Sequence, residues 1–160
     1  MSVEKPNTAT VQQFCTFVLQ GEFFGVPVRQ VQEVIRYQEM TRVPLVSEVV
    51  SGLINLRGQI VTAIDLRRCL GMPRRAAGLL PINVVVRTGD GPVSLLVDDI
   101  GDVIEVSDDS YEAAPRNMSE QQKELVAGVY KLDGRLLLVL DTEKAIGAAE
   151  SGAGSGPGDT

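Results

Sequence analysis

Residues 50–71 read VSGLINLRGQIVTAIDLRRCLG and residues 126–147 read VAGVYKLDGRLLLVLDTEKAIG. The two stretches align without a gap at a displacement of 76 (126 minus 50). Val50, Gly52, Leu56, Gly58, Asp65 and Gly71 recur as Val126, Gly128, Leu132, Gly134, Asp141 and Gly147. Self-similarity at a fixed displacement marks a duplicated supersecondary unit, and it constrains the whole architecture. Upstream, Val28, Val31, Glu33, Val34 and Ile35 correspond to Val97, Ile100, Asp102, Val103 and Ile104 at a displacement of 69 (97 minus 28). The second copy therefore holds seven extra residues (76 minus 69). They fit residues 116–125, where Ser119 and Gln122 have the spacing of a helix capping box.

Each copy opens with a hairpin: residues 13–20 and 23–28 about Gly21-Glu22 in the first, residues 82–88 and 93–97 about Gly89-Asp90-Gly91 in the second. A short β-rich segment follows, residues 33–37 or 102–106. A second hairpin then turns at Arg57-Gly58-Gln59 or Asp133-Gly134-Arg135, with glycine supplying the positive φ of a tight turn. One helical turn ends the unit, capped by Asp65 or Asp141 and closed by Gly71 or Gly147. Five short strands per copy predict a mainly β fold of two small closed barrels with short helices, because closure removes exposed sheet edges. A unit of about 65 residues buries little surface alone, so the barrels should pack together with a groove between them. The expected boundaries are a tail over residues 1–12, a first barrel over about 13–75, a second over about 80–147, and a Gly/Ser-rich tail over 148–160.

Composition narrows the function. The 160 residues are 44% hydrophobic and 22% charged, which is ordinary globular usage. Fifteen basic residues against 21 acidic ones give a formal charge of −6, a poor match for a phosphate backbone. Nucleic acid is not an expected partner. No apolar run reaches the roughly 18 residues of a spanning helix, and the first ten residues lack the pattern of a signal peptide, so a cytoplasmic location without membrane insertion is expected. Cys15 and Cys69, with no CxxC spacing, read as buried apolar residues.

Chemistry finds little purchase. There is no histidine, which removes the commonest general base and metal ligand together. No serine lies in a GxSxG context. Asp65 with Asp141, or Asp98 with Asp99 and Asp102, could hold a hard cation or work as acid and base. The first two occupy equivalent capping positions, and the others lack the EF-hand pattern and read as a solvated rim. No catalytic residue, metal or cofactor is expected. What distinguishes the copies is Asn55-Leu56-Arg57-Gly58 against Lys131-Leu132-Asp133-Gly134.

Taken together, FFGVPVRQVQEVIR (residues 23–36), TRVP (41–44), GLINLRGQIVTAIDLRRCLG (52–71) and VDDIGDVIEV (97–106) resemble the CheW family of bacterial chemotaxis coupling proteins over about residues 13–147. The resemblance implies SH3-like barrels that exchange strands, and no enzymatic reaction. It implies a scaffold between the cytoplasmic tips of chemoreceptors and the regulatory domain of a CheA-type histidine kinase, or a related adaptor of pilus-driven motility. Carried over position by position, the receptor groove would hold Val31, Glu33, Arg57, Ile82 and Val103. Glu33 and Arg57 are singular charges in apolar segments, and are expected to pair across the groove wall.

Overall fold

The computed structural model describes residues 11–44, 48–113 and 115–155, with side chains of 150–155 left aside. The described residues form eleven strands in two sheets and three α-helices. In order these are β1 (Val11–Leu19), β2 (Glu22–Pro27), β3 (Val31–Ile35), β4 (Val50–Leu56), β5 (Gln59–Asp65), α1 (Leu66–Cys69), β6 (Ile82–Thr88), β7 (Gly91–Val97), β8 (Asp99–Ser107), β9 (Tyr111–Glu112), α2 (Glu120–Leu125), β10 (Val126–Leu132), β11 (Arg135–Leu140) and α3 (Thr142–Ser155). The four expected hairpins are all present. At the β4–β5 turn Arg57 and Gly58 both take positive φ, 54° and 89°, the pairing of a tight hairpin whose twist matches its strands.

The sheets are ordered β8-β1-β2-β11-β10-β9 and β3-β6-β7-β5-β4. Neither barrel is contiguous in sequence. Barrel I takes its first hairpin from copy one and its second from copy two, whereas barrel II takes β6–β7 from copy two and β4–β5 from copy one. The strand exchange that the resemblance implies is an exchange of whole hairpins across the division near residues 75–80. Its joints repeat with the sequence: β2 meets β11 in parallel with Phe24 against Leu138, and β7 meets β5 in parallel with Val93 against Thr62. Those partners differ by the displacements 69 and 76 already read from the sequence. The bulges repeat too, between Val50 and Gly52 and between Val126 and Gly128.

Burial explains why exchange is favoured. Successive residues of one strand serve different cores: Leu137 and Val139 fill barrel I while Leu138 and Leu140 enter a core shared by both barrels. Likewise Leu96 fills barrel II while Leu95 and Val97 enter the shared core. Strands wrapped on both faces are expected to be continuously apolar, as LLLVL and SLLV are. The shared core, which includes Phe17, Leu19, Phe24, Leu66 and Ile146, is the largest of the three clusters. Barrels I and II are thus halves of one hydrophobic unit, not two modules in contact.

Two boundaries differ from expectation. β1 begins at Val11, because Val11 and Gln12 pair with Ser107 and Val106 of β8. α3 continues past Gly147 to Ser155, so Gly147 lies inside the helix it was expected to close. The reason is packing: Ala145, Ile146 and Ala149 are all buried against the shared core, which holds a weak helical sequence in place. The remainders of the expected tails, residues 1–10 and 156–160, lie outside the described residues. The caps are as read: Asp65 accepts from Arg67 N at 3.1 Å, Asp141 from Lys144 N at 3.0 Å, and Ser119 from Gln122 N at 3.1 Å. Gly71 closes α1 at φ 72°.

Candidate functional site

Barrel II has β3 and β4 as its outer strands. Two features bring these edges together. Thr41 and Leu53 exchange backbone hydrogen bonds at 2.8 Å. Beyond them, the guanidinium of Arg57, on the β4–β5 turn, forms an ion pair with the carboxylate of Glu33 on β3. Arg57 is aimed by its own turn, in which Asn55 Oδ1 accepts from Gly58 N at 2.8 Å. The hydrogen bond from Arg57, followed by one from Gln32, holds the Glu33 carboxyl below the usual carboxylate range. A depressed carboxyl stays ionised at neutral pH, and the pair opens as pH falls through its lowered value.

Of the other anticipated residues, Val31 and Ile82 sit at opposite ends of the β3–β6 ladder, in register with Val86 and Val97, and both pack against the shared core. Arg87 secures the first of these ends, donating to the carbonyls of Arg29 and Val31 at 3.0 Å each. Val103 lies on the other barrel, on its edge strand β8, 57% exposed and in register with Cys15. Val103 and the Glu33–Arg57 pair thus lie on different sheets. Val34, one residue beyond Glu33, is the counterpart of Val103 and is 38% exposed. The displacement of 69 would have revealed it. Each barrel thus offers an exposed valine at the equivalent point of an outer strand.

A second charged cluster was not anticipated. Asp98, at the β7–β8 junction, receives Arg67 Nε at 2.8 Å and Nη2 at 2.5 Å, and Arg75 Nε at 2.8 Å. Gln20 N adds a bond at 2.7 Å, and Arg75 Nη1 reaches Asp65 at 3.2 Å and the Leu96 carbonyl through Nη2 at 3.2 Å. Burial pushes the Asp98 carboxyl up, but Arg67, the Gln20 amide and Arg75 together bring it below its ordinary value. The reading of Asp98 as part of a solvated rim is therefore wrong: its side chain is only 19% exposed. The connector from α1 to β6, residues 72–80, also touches the repeat, through Arg75 on Asp65. The cluster ties β5, α1, the connector, β7 and the β1–β2 turn together at the seam between barrels.

Burial drives the Cys15 thiol up, and burial followed by the charge of Asp65 pushes Cys69 up to about 12, so neither presents a thiolate. Among the described residues no three His, Cys, Asp or Glu side chains gather as metal ligands. No described helix is long and apolar enough to cross a membrane.

Duplicated copies, exchanged hairpins, two SH3-like barrels on one shared core, and an edge-to-edge ion pair beside exposed valines define a β-barrel protein-interaction module. Residues 13–150 match the family described as CheW-like domain, and the chain belongs to that family. It is 29% identical over 137 residues to the chemotaxis protein CheW of Bacillus subtilis, covering 86% of this chain and 88% of that protein. It is 30% identical over 139 residues to CheW of Klebsiella aerogenes, covering 87% and 84%. The solved scaffolding protein TtCheW from Thermoanaerobacter tengcongensis superposes with a TM-score of 0.73 at 26% identity, over 82% of this chain and 90% of that one. The chain is a chemotaxis coupling protein of the scaffold type, and its family is not one of enzymes.

Proposed function

We propose that this chain works in the cytoplasm, joining chemoreceptor cytoplasmic tips to the regulatory domain of a CheA-type histidine kinase in membrane-associated arrays. The Glu33–Arg57 pair is the observation that carries the reading. It unites two outer strands of barrel II at a surface where neither charge is needed to fill a core. In this reading Val31, Glu33, Arg57, Ile82 and Val103 form the receptor groove, with apolar side chains burying against a receptor helix and the ion pair fixing the groove wall. The kinase domain docks barrel to barrel on a separate face. An adaptor needs two such surfaces, because coupling is a free energy shared between distinct sites.

The test is charge reversal with a purified receptor cytoplasmic fragment as the probe. Glu33→Arg or Arg57→Glu alone should weaken binding at least about tenfold, and the double reversal should recover most of it. Full binding by either single variant, or no recovery in the double, would remove the pair from the groove. Kinase binding by the same variants should stay at the wild-type level.

A further inference from the structure

We propose that a basic cleft on barrel II, lined by neither Glu33 nor Arg57, docks an acidic segment of a partner protein. The cleft, about 650 Å³, is lined by Arg42, Arg68 and Arg74, with the hydroxyls of Tyr37 and Ser51 and the apolar side chain of Val50 among the remaining wall. The three guanidiniums come from separate places: the strand-like segment after β3, helix α1, and the connector that follows it.

The charges in the cleft are not consumed by the fold. Arg42 and Arg74 are exposed, and among the described residues neither has a hydrogen bond or ion pair. Arg68 meets Glu48 only at 3.4 Å, through its backbone carbonyl and its carboxylate alike, and the glutamate side chain is 92% exposed. The other acid in the wall, the half-buried Asp65, is already committed to Arg75 and to capping α1. A chain of net charge −6 thus keeps a concave site with unspent positive charge. The duplication supplies an internal control. Val50, Asp65 and the basic Arg68 recur as Val126, Asp141 and Lys144, whereas Ser51 becomes Ala127. Arg42 and Arg74 lie outside the repeated stretch.

The chemistry of this lining selects the ligand. Guanidiniums and hydroxyls are donors suited to carboxylate oxygens, which arginine grips in a bidentate manner. The cleft is far larger than a single oxyanion, and its apolar wall suits the backbone and β-carbons of an extended peptide. A peptide bearing several closely spaced Asp or Glu residues satisfies all three arginines at once.

The probe is a fluorescein-labelled hexaglutamate peptide, with hexaglutamine as its uncharged control, titrated into the full chain and read by fluorescence anisotropy. Hexaglutamate should bind at least about tenfold more tightly than hexaglutamine, and binding should weaken as salt rises. Arg42→Glu with Arg74→Glu should abolish the preference, and the milder pair Arg42→Gln with Arg74→Gln should reduce it at an unchanged melting temperature. Arg116→Glu, outside the cleft, should leave it intact. Equal binding of the two peptides, or an equal loss in Arg116→Glu, overturns the proposal. So does tight binding of inorganic tripolyphosphate through Arg42 and Arg74 without binding of hexaglutamate, which would make the site a phosphate pocket. The proposal does not depend on the receptor and kinase reading, since no arm of the experiment uses either partner.

Discussion

The two barrels share one strand order and one set of bulges, yet they are filled in different ways. Inside barrel II, Asn83 and Ser94 are almost wholly buried, with the serine hydroxyl donating to Asn83 Oδ1 at 2.6 Å. Asn83 Nδ2 in turn donates to the Arg36 carbonyl at 3.1 Å, fixing the chain where it leaves β3. At the displacement of 69, the same two slots of barrel I hold Phe14 and Gly25. There Phe14 packs on Tyr130 with ring centroids 5.6 Å apart, and Tyr111 meets Tyr130 edge-on at 5.5 Å. One barrel is set by a satisfied polar pair among aliphatics, the other by an aromatic cluster that excludes water. The frame of strands and turns accommodates both, a buried hydrogen-bonded pair in one barrel and packed rings in the other.

The closing of the barrels differs in the same way. Barrel II draws its edges together with Glu33 and Arg57, but the corresponding residues of barrel I are Asp102 and Asp133, two like charges. Barrel I instead adds the short strand β9, with Tyr111 and Glu112 in register with Tyr130 and Val129. Gly52 and Gly128 mark where these extra segments cross. A Cβ on Gly52 would stand 2.7 Å from the Thr41 carbonyl oxygen, and one on Gly128 would stand 2.9 Å from the Tyr111 ring. The duplicated glycine serves a backbone crossing in one barrel and an aromatic lid in the other.

The largest test of this comparison is to separate what the copies exchange. If the barrels are halves of one unit, residues 11–75 and 80–155 produced as two polypeptides should each lack the β-sheet signal in circular dichroism, and mixing them should restore it. Independent folding of either fragment would show that its own five strands can form a barrel without exchange.

Next in size is the filling of the two barrels. Phe14→Ala should cost about 3–5 kcal/mol, the usual penalty for a deleted core aromatic. Asn83→Ala should cost about 1–3 kcal/mol, because it leaves the buried Ser94 hydroxyl without its acceptor and removes the bond to the Arg36 carbonyl. Urea unfolding should show one cooperative transition for both, since the shared core links the barrels. Two transitions in either variant would mean that the barrels are thermodynamically separate.

The hairpins were legible in the sequence because their signals are local: turn glycines, apolar alternation and a capping aspartate all lie within a few residues. The exchange came only from the family resemblance, since nothing local says which hairpin a strand will join. The parallel pairing of β2 with β11 links Phe24 to Leu138 across most of the chain. For the same reason the Asp98 cluster was missed. Asp65 comes beside Leu96 only through the β5–β7 pairing, and that is what brings Asp98 within reach of Arg67 and Arg75. The Glu33–Arg57 pair could be foreseen because lone charges in apolar strands have few other places to go. Helix α3 was obscured by its composition, since Ala and Gly resemble a linker until their small size is seen to fit a crowded core.

The Asp98 cluster offers an intermediate effect that acts on both barrels together. Asp98→Asn leaves the Arg67 and Arg75 guanidiniums, 12% and 10% exposed, without their shared anion, and should cost about 2–4 kcal/mol. The sign of its pH dependence follows from the lowered Asp98 carboxyl. Its contribution is present above the unfolded value near ~3.9 and is lost as pH falls through the lower folded value. Wild type should therefore lose stability below about pH 4 more steeply than Asp98→Asn, as measured by thermal melts across that range. Parallel acid profiles would show that the cluster does not hold the seam.

The smallest effect is also the most specific to the comparison. Asp133→Arg places in barrel I the charge that Arg57 carries in barrel II, opposite Asp102 instead of Glu33. If the repeat brings position 133 to Asp102 as it brings Arg57 to Glu33, the change supplies an attractive pair at an exposed position, so the melting temperature should rise by only about one or two degrees at low salt. That gain should vanish in high salt, where exposed charges are screened. A salt-insensitive gain would trace to the turn itself, because Arg57 adopts positive φ in its own turn and the new arginine would have to adopt the geometry around Gly134. A loss of stability would show that Asp102 and Asp133 are held apart, so that the edges of barrel I are closed by β9 alone and the symmetry between the barrels ends at the turn.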